Sequence, residues 1–182
     1  MEHGDLVQLM EAGDAAKATL DYEMASNIYR EAVNFVSSSP QQPVVEPSIK
    51  LGVCLCQLAR YKEAENILTR CLEEGSSGAS LDEALYVRLL SALAALYQAQ
   101  SKYDAAIKLH EKAIPLARNI KTGSSLTRLG LADNIAAYGE TLRKAGRLSK
   151  AELYHREALA IRTRAVLEET CQELELAISY TQ

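Results

Sequence analysis

Four segments of twelve residues repeat one pattern along the 182-residue chain. They are YEMASNIYREAV (22–33), YKEAENILTRCL (61–72), YDAAIKLHEKAI (103–114) and LSKAELYHREAL (148–159). Each has Tyr or Leu, then Ala three residues later, a large side chain four residues after that, and Ala or Cys three residues further on. Offsets of three and four residues place these positions on one face of a helix. The repetition therefore predicts an all-α chain built from similar helical units.

A second helical pattern precedes each of these segments and is clearest in residues 89–103 and 134–148. One place in it always holds a small residue, and its four occupants are Gly13, Gly52, Ala94 and Gly139. Glycine inside a helix costs roughly 0.5–1 kcal/mol relative to alanine, so its presence needs a structural reason. Close packing against the partner helix supplies one. We therefore predict four helix pairs in which the small residue faces the second helix.

Breaks in the pattern agree with four pairs. Pro, Gly and Ser cluster between the pairs, at residues 37–47, 73–80 and 121–125. Within the pairs the turns are short, at residues 19–21, 59–60, 100–102 and 145–147. Pro115 is expected to kink its helix or end it early. Residues 148–182 contain neither Gly nor Pro, so they form one long helix or two helices with an unmarked bend.

This pattern resembles the tetratricopeptide repeat (TPR), a helix–turn–helix unit with small residues where its helices cross. The spacing and the segments LAALYQAQSKYDAA (93–106) and AELYHREALAIR (151–162) are similar to the kinesin-light-chain subtype. The first repeat matches loosely, because Leu20 occupies the turn where Gly is usual. The resemblance implies a solenoid with a right-handed superhelix, whose first helices line a concave surface.

The expected organisation is a single TPR domain over residues 1–182. Its repeats cover approximately residues 5–39, 45–75, 81–120 and 124–165. Residues 166–182 form a C-terminal cap or a partial fifth repeat, in which Leu174 and Ile178 are expected to cover the edge of the fourth pair.

Composition excludes several classes of protein. The formal net charge is −4, whereas a nucleic-acid or anionic-membrane binder needs a basic footprint. Its longest uncharged apolar stretch, 92–97, is far short of the roughly 18–20 residues that cross a bilayer. With no signal-peptide pattern, a cytoplasmic, reducing setting is expected, in which the four cysteines are free thiols. We therefore expect neither nucleic-acid binding nor membrane insertion.

The sequence offers no catalytic, cofactor-binding or metal-binding site. His110 and His155 occupy the large-residue place that Tyr29 and Leu68 hold in the other repeats, which favours a packing role. No phosphate-binding glycine loop, GxSxG or HExxH motif is present, and no CxxC pair occurs. We therefore predict a protein that is not an enzyme and that needs no cofactor.

The resemblance implies that a partner peptide or helix binds on the first-helix face opposite the packing residues. The candidate groove residues on that face are Lys50, Val53, Gln57, Arg88, Ser91, Ala92, Ala95, Ala136, Ala137, Glu140, Arg143 and Lys144. The Asn pair typical of kinesin light chains is replaced by Ser91–Ala92 and Ala136–Ala137. Met10 and Asp14 likewise replace the Lys and Asn that clamp chaperone tails. A groove floored by Ala and Ser suits an amphipathic helix better than an extended peptide.

Other roles stay open at this stage. The chain could be a structural module that forms homo-oligomers through its terminal helices, at residues 5–20 or 167–180, or a regulatory domain of a larger complex. Arg143 and Lys144 also have two interpretations. They could attract an acidic segment of the partner, or they could stabilise the helix macrodipole near a C-terminus.

The assigned register predicts that Ala151 lies at a helix crossing with no room for extra methylene groups. Ala151→Leu should therefore lower the free energy of unfolding by roughly 1–3 kcal/mol through overpacking. Thermal and urea denaturation measure the change. Unchanged stability would contradict the register.

Overall fold

The computed structural model describes residues 3–37, 44–76, 82–120 and 125–180. In these ranges the regular structure consists of helices alone. The helices are α1 (His3–Ala18), α2 (Tyr22–Ser37), α3 (Val45–Gln57), α4 (Tyr61–Ser76), α5 (Glu83–Ala99), α6 (Tyr103–Asn119), α7 (Ser125–Lys144) and α8 (Leu148–Tyr180). Their order confirms the all-α class and the four helix–turn–helix pairs.

The chain divides into two compact units, Met1–Lys102 and Tyr103–Gln182. In the first unit, α2 packs against both α1 and α3, and α5 packs against both α3 and α4. In the second unit, α7 packs against both α6 and α8. The organisation of all four repeats as a single domain stays a prediction.

Close contact between a small and a large residue joins the two helices of a pair. A Cβ atom added to Gly13 would lie 2.5 Å from Cε1 of Tyr29, and one added to Gly52 would lie 2.8 Å from Leu68. At Gly139 the neighbour is the imidazole of His155, at 3.0 Å. Real Cβ atoms essentially never approach a neighbour closer than 3.0 Å. The prediction that these glycines permit helix contact is therefore confirmed.

The repeated alanines lie at the centres of the two units. Ala25, Ala64 and Ala106 are fully buried, and Ala151 is 3% exposed. Ala151 belongs to an apolar cluster that includes Ile107, Ile114, Ile135, Tyr138 and Leu142. The helical face assigned from the spacing is therefore the buried one.

Each helix pair turns through the same hydrogen-bonded motif. In the first, the amide of Asp21 donates to the carbonyl of Ala16, and the amide of Leu20 donates to the carbonyl of Lys17. Equivalent pairs of bonds follow α3, α5 and α7. This is the Schellman arrangement, which needs one residue with positive φ. At these turns the residues with positive φ are Leu20 (62°), Ala59 (56°), Ser101 (60°) and Gly146 (76°).

Two details of the helices go beyond what the pattern could decide. Pro115 lies inside α6, which continues to Asn119, so the expectation of an early end was wrong. Near a helix C-terminus, the loss of one backbone donor does not stop the chain from completing one more turn. Helix α8 is a single helix of 33 residues, without a break. The capping contacts expected of Leu174 and Ile178 lie outside the described side chains.

His110 is buried in the second unit, with 1% of its surface exposed. Its Nε2 atom lies 3.2 Å from the hydroxyl of Thr141, and that hydroxyl donates to the carbonyl of Ala137 at 2.9 Å. Which of the two groups donates in the Nε2–Thr141 contact depends on the tautomer of the ring. Among the described residues Nδ1 has no hydrogen-bond partner. Burial lowers the pKa of His110 to about 4. The ring is a packing element that stays neutral.

Glycine substitution at the non-glycine turn residues should stabilise the protein. A left-handed conformation costs a non-glycine residue roughly 1–2 kcal/mol, and the entropy of glycine in the unfolded chain cancels about half of that gain. Leu20→Gly, Ala59→Gly and Ser101→Gly should each raise the free energy of unfolding by about 0.5–1 kcal/mol. Thermal denaturation measures the change.

Two controls separate this effect from other effects of glycine. Gly146→Ala should be destabilising, although an added Cβ there meets no atom within 4 Å. Ala15→Gly, on an exposed position inside α1, should be destabilising by about 0.5–1 kcal/mol. If Ala59→Gly behaves like Ala15→Gly, the positive φ at residue 59 is contradicted.

Protonation of His110 should make stability depend on pH. Because the folded pKa lies below the ordinary value of about 6.5, stability is complete above about pH 6.5 and decreases from there to about pH 4. The loss should approach 1.4 kcal/mol per pH unit, because the unfolded chain takes up a proton that the folded chain does not. Urea denaturation at about pH 7.5 and about pH 5 should show a smaller loss for His110→Leu than for the parent. His155→Leu, at the exposed counterpart, should keep the parent's loss.

Candidate functional site

The candidate groove residues of the first unit lie on α3 and α5. Gln57, Arg88 and Ala95 are exposed, and Lys50, Val53 and Ser91 are half-buried. Ala92 is only 6% exposed, so it belongs to the core and offers a partner little surface. The exposed part of the α5 face therefore consists of Arg88 and Ala95, with Ser91 between them.

Lys50 is held by groups of the first helix pair. Its Nζ atom lies 2.5 Å from Oδ2 of Asp14 and 5.8 Å from the centre of the Tyr29 ring. The Tyr29 hydroxyl donates to the other oxygen of Asp14 at 2.6 Å. Partial burial opposes ionisation of Asp14, but the hydrogen bonds from Lys50 and Tyr29 outweigh it and lower the pKa of Asp14. Burial, together with the hydrogen bond to Asp14, raises the pKa of Tyr29. These groups join α1, α2 and α3.

Arg88 makes a similar connection between α5 and α3. One guanidinium nitrogen lies 3.1 Å from Oε1 of Glu46, and both side chains are 45% exposed. Exposed pairs of this kind contribute about 0–1 kcal/mol. The pair therefore orients Arg88 without preventing an exchange with another carboxylate.

The candidate residues of the second unit lie on one exposed face of α7. Arg143 makes two hydrogen bonds of 2.7 Å to the carboxylate of Glu140, and Nζ of Lys144 lies 3.9 Å from the same carboxylate. The hydrogen bond from Arg143 lowers the pKa of Glu140. Ala137, one turn earlier, is exposed, and Ala136 packs partly against the core. This face presents two cations around one carboxylate, beside a shallow alanine surface.

Two acidic partners of the candidate cations, Asp14 and Glu46, were not among the predicted site residues. Asp14 and Glu46 each join two consecutive first helices, whereas Glu140 was predicted together with its partners Arg143 and Lys144. Charges of opposite sign on consecutive first helices could have indicated the Asp14–Lys50 and Glu46–Arg88 pairs from the sequence. Each of the cations Lys50, Arg88 and Arg143 is therefore balanced by an acid of the same unit.

A cleft of about 380 Å³ opens between α1 and α2. Its walls combine apolar with acidic or amide side chains, which are Asp5, Gln8, Leu9, Ala12, Glu31 and Phe35. This cleft was not predicted from the sequence, since its residues are neither repeated small residues nor candidate groove residues.

Two other kinds of site are absent from the described residues. In that part of the chain, no three His, Cys, Asp or Glu side chains are grouped as ligands for a metal ion. None of the described helices combines the length and apolar character needed to span a membrane.

Solved structures with similar folds are helical repeat proteins. BtubC (BKLC) from P. vanneervenii superposes with a TM-score of 0.72 and 20% identity, over 87% of this chain and 63% of that chain. A Podosopora anserina structure of kinesin light chain nearly identical TPR-like repeats gives a TM-score of 0.59 and 13% identity, over 90% of this chain and 98% of that chain. MamA of AMB-1 gives 0.52 and 17%, over 84% and 76%. The chain thus spans 63% of the length of BtubC, and at these identities the likeness shows the fold alone.

Sequence comparison identifies the repeats directly. The tetratricopeptide repeat model matches residues 45–119 and 85–164, which together cover most of the chain. No curated protein matches the chain by sequence. The chain belongs to the tetratricopeptide repeat family.

Proposed function

We propose that this protein is an interaction scaffold that binds a helix or peptide of a partner protein on its first-helix faces. Tetratricopeptide repeat proteins generally mediate protein–protein interaction and act as non-enzymatic scaffolds. The observation that carries the finer proposal is the α7 face, where the exposed cations Arg143 and Lys144 follow the small residues Ala136 and Ala137. Small residues let a partner helix approach, and cations beside them favour a partner with acidic residues.

The pairing of these cations with Glu140 supports binding by exchange. Side-chain exposure is 56% for Arg143, 38% for Lys144 and 35% for Glu140, so water screens the pairs. Such pairs hold the side chains in place at little cost to an incoming carboxylate. The partner is therefore expected to carry at least one Asp or Glu on the helix face that meets α7.

We further infer a reducing, cytoplasmic setting from the cysteines. Cys54, Cys56 and Cys71 are free thiols. Burial raises the pKa of the Cys54 thiol, and it raises the pKa of Cys56 to about 11. Thiols held in the neutral form behave as small apolar side chains, which suits a compartment where they stay reduced.

Charge reversal on α7 tests the proposed site. The partner is captured on the immobilised chain, identified by mass spectrometry, purified and titrated by calorimetry. Arg143→Glu with Lys144→Glu should weaken binding at least tenfold, because the site then repels the acids of the partner. If the cations serve only the helix macrodipole, the reversal should instead cost roughly 0.3–1 kcal/mol of stability for each residue and leave binding intact.

Two further variants make this test specific. Lys108→Glu with Lys112→Glu changes the net charge equally on the exposed face of α6 and should leave affinity unchanged. Glu140→Gln removes the competing carboxylate and should strengthen binding. Full binding by the Arg143/Lys144 variant at low ionic strength would contradict the α7 site and direct attention to Arg88 and Ser91.

A further inference from the structure

In the second unit, both helices of the fourth pair, α7 and α8, contact α6, which is the second helix of the preceding pair. Helix α6 packs against α7, where Ile114 joins the apolar cluster of Ile135 and Tyr138. The Tyr138 hydroxyl donates to Glu111 of α6 at 3.2 Å. Helix α8 adds an ion pair of 2.5 Å between its Glu157 and Arg118 of α6, and its Ile161 packs against the same cluster. Helices α7 and α8 thus form a binding surface for α6, the second helix of the preceding pair.

The cleft between α1 and α2 is the part of the first pair that corresponds to this binding surface. Gly13 and Gly139 are equivalent, as are Tyr29 and His155, so one shift of 126 residues superposes the two pairs. Four of the cleft residues are then the counterparts of residues that hold α6. Leu9 corresponds to Ile135, Ala12 to Tyr138, Glu31 to Glu157 and Phe35 to Ile161. The cleft is therefore shaped for a second helix, and among the described residues no helix lies in it.

Helix α8 carries the matching surface. A shift of 45 residues superposes the segment of α6 on that of α8, so Leu159 corresponds to Ile114 and Arg156 to Glu111. Ile114 is 4% exposed, whereas Leu159 is 64% exposed. Leu148 and Val166 lie on the same side of α8 and are 65% and 58% exposed. We call Leu148, Leu159 and Val166 the α8 stripe. Of these three, Leu159 is the counterpart of a side chain that packs against α7 in the second unit.

We propose that two copies of this chain associate head to tail, with the α8 stripe of one copy in the α1–α2 cleft of the other. Size and charge both support a second copy as the occupant. Where the second unit pairs the large Tyr138 with Glu111, the intermolecular contact pairs the small Ala12 with the longer Arg156. The cleft carries the acids Asp5 and Glu31, and Leu159 on α8 is flanked by Arg156 and by Arg162, which is paired with Asp133 of α7 at 2.7 Å.

The contact is weaker than its counterpart within the chain. Glu152 stands on α8 where α6 has the buried Ile107, so less apolar area is covered. Arg156 must also leave Glu152, which it contacts at 2.6 Å, although both side chains are more than 60% exposed and the pair costs little to separate. Self-association is therefore expected to be reversible and dependent on concentration.

Head-to-tail contact uses two different surfaces, and this allows a complementation test. Ala12→Arg fills the cleft and leaves the stripe intact, whereas Leu159→Glu places a like charge against Asp5 and Glu31 and leaves the cleft intact. Each variant alone should associate at least tenfold more weakly than the parent. An equimolar mixture should form a one-to-one complex, since it retains one working cleft and one working stripe. Sedimentation over a concentration series measures all the masses.

Matched controls lie on the same helices outside the contact. Val7→Arg on α1 and Leu153→Glu on α8 introduce the same charges at positions that are 48% and 63% exposed, and both should associate like the parent. Circular dichroism verifies that each variant folds. Gln8→Arg in the cleft and Val166→Glu on the stripe replace any variant that does not.

Three outcomes would overturn the proposal. A parent chain that stays monomeric at every soluble concentration excludes association. Failure of the two variants to complement each other excludes the heterologous contact and points to a symmetric interface. If Val7→Arg and Leu153→Glu weaken association as much as the contact variants do, the weakening is caused by general surface charge and not by loss of the proposed contact. Because partner binding on α7 is measured separately, none of these outcomes bears on the proposed scaffold function.

Discussion

The contact between a small residue on the first helix and a large residue on the second is the interaction on which the first, second and fourth pairs depend. Tyr29 over Gly13 and Leu68 over Gly52 leave no space for a Cβ atom, and His155 would lie only 3.0 Å from one on Gly139. The glycine lets the two backbones approach, and the large side chain fills the space beside them. Chemically different side chains satisfy one steric requirement, so the array can vary its polarity without changing its geometry.

The turns impose a second requirement, on the backbone rather than on side chains. All four pairs turn through a residue with positive φ, yet only Gly146 has the side chain suited to it. Leu20, Ala59 and Ser101 adopt the same conformation because two backbone hydrogen bonds close each turn, and in the first two pairs the helices also pack against each other. Tertiary structure therefore overrides a local preference of roughly 1–2 kcal/mol at three places.

Periodic apolar spacing was sufficient to predict the helices, the pairs, the turns and the buried alanines, since burial is a property of one helical face. It was not sufficient for Ala92, because an alanine near the edge of that face can be core or surface. The apolar spacing also could not predict which long charged side chains pair with each other across helices. The bond from Asp14 to Lys50 depends on the distance between α1 and α3, which no spacing within either helix encodes. The α1–α2 cleft becomes interpretable only when two repeats are compared in three dimensions.

The internal ion pairs reduce what each cation can contribute to the affinity for an acidic ligand. An acidic ligand that reaches Lys50, Arg88 or Arg143 meets a cation already neutralised by Asp14, Glu46 or Glu140. Binding is then a competition between two carboxylates for one cation, and only the difference between them contributes to affinity. Added salt weakens both sides of that exchange, so the ionic-strength dependence should be shallower than the number of contacts suggests. Selectivity would then come from how well the ligand fits the small side chains between the cations rather than from its total charge.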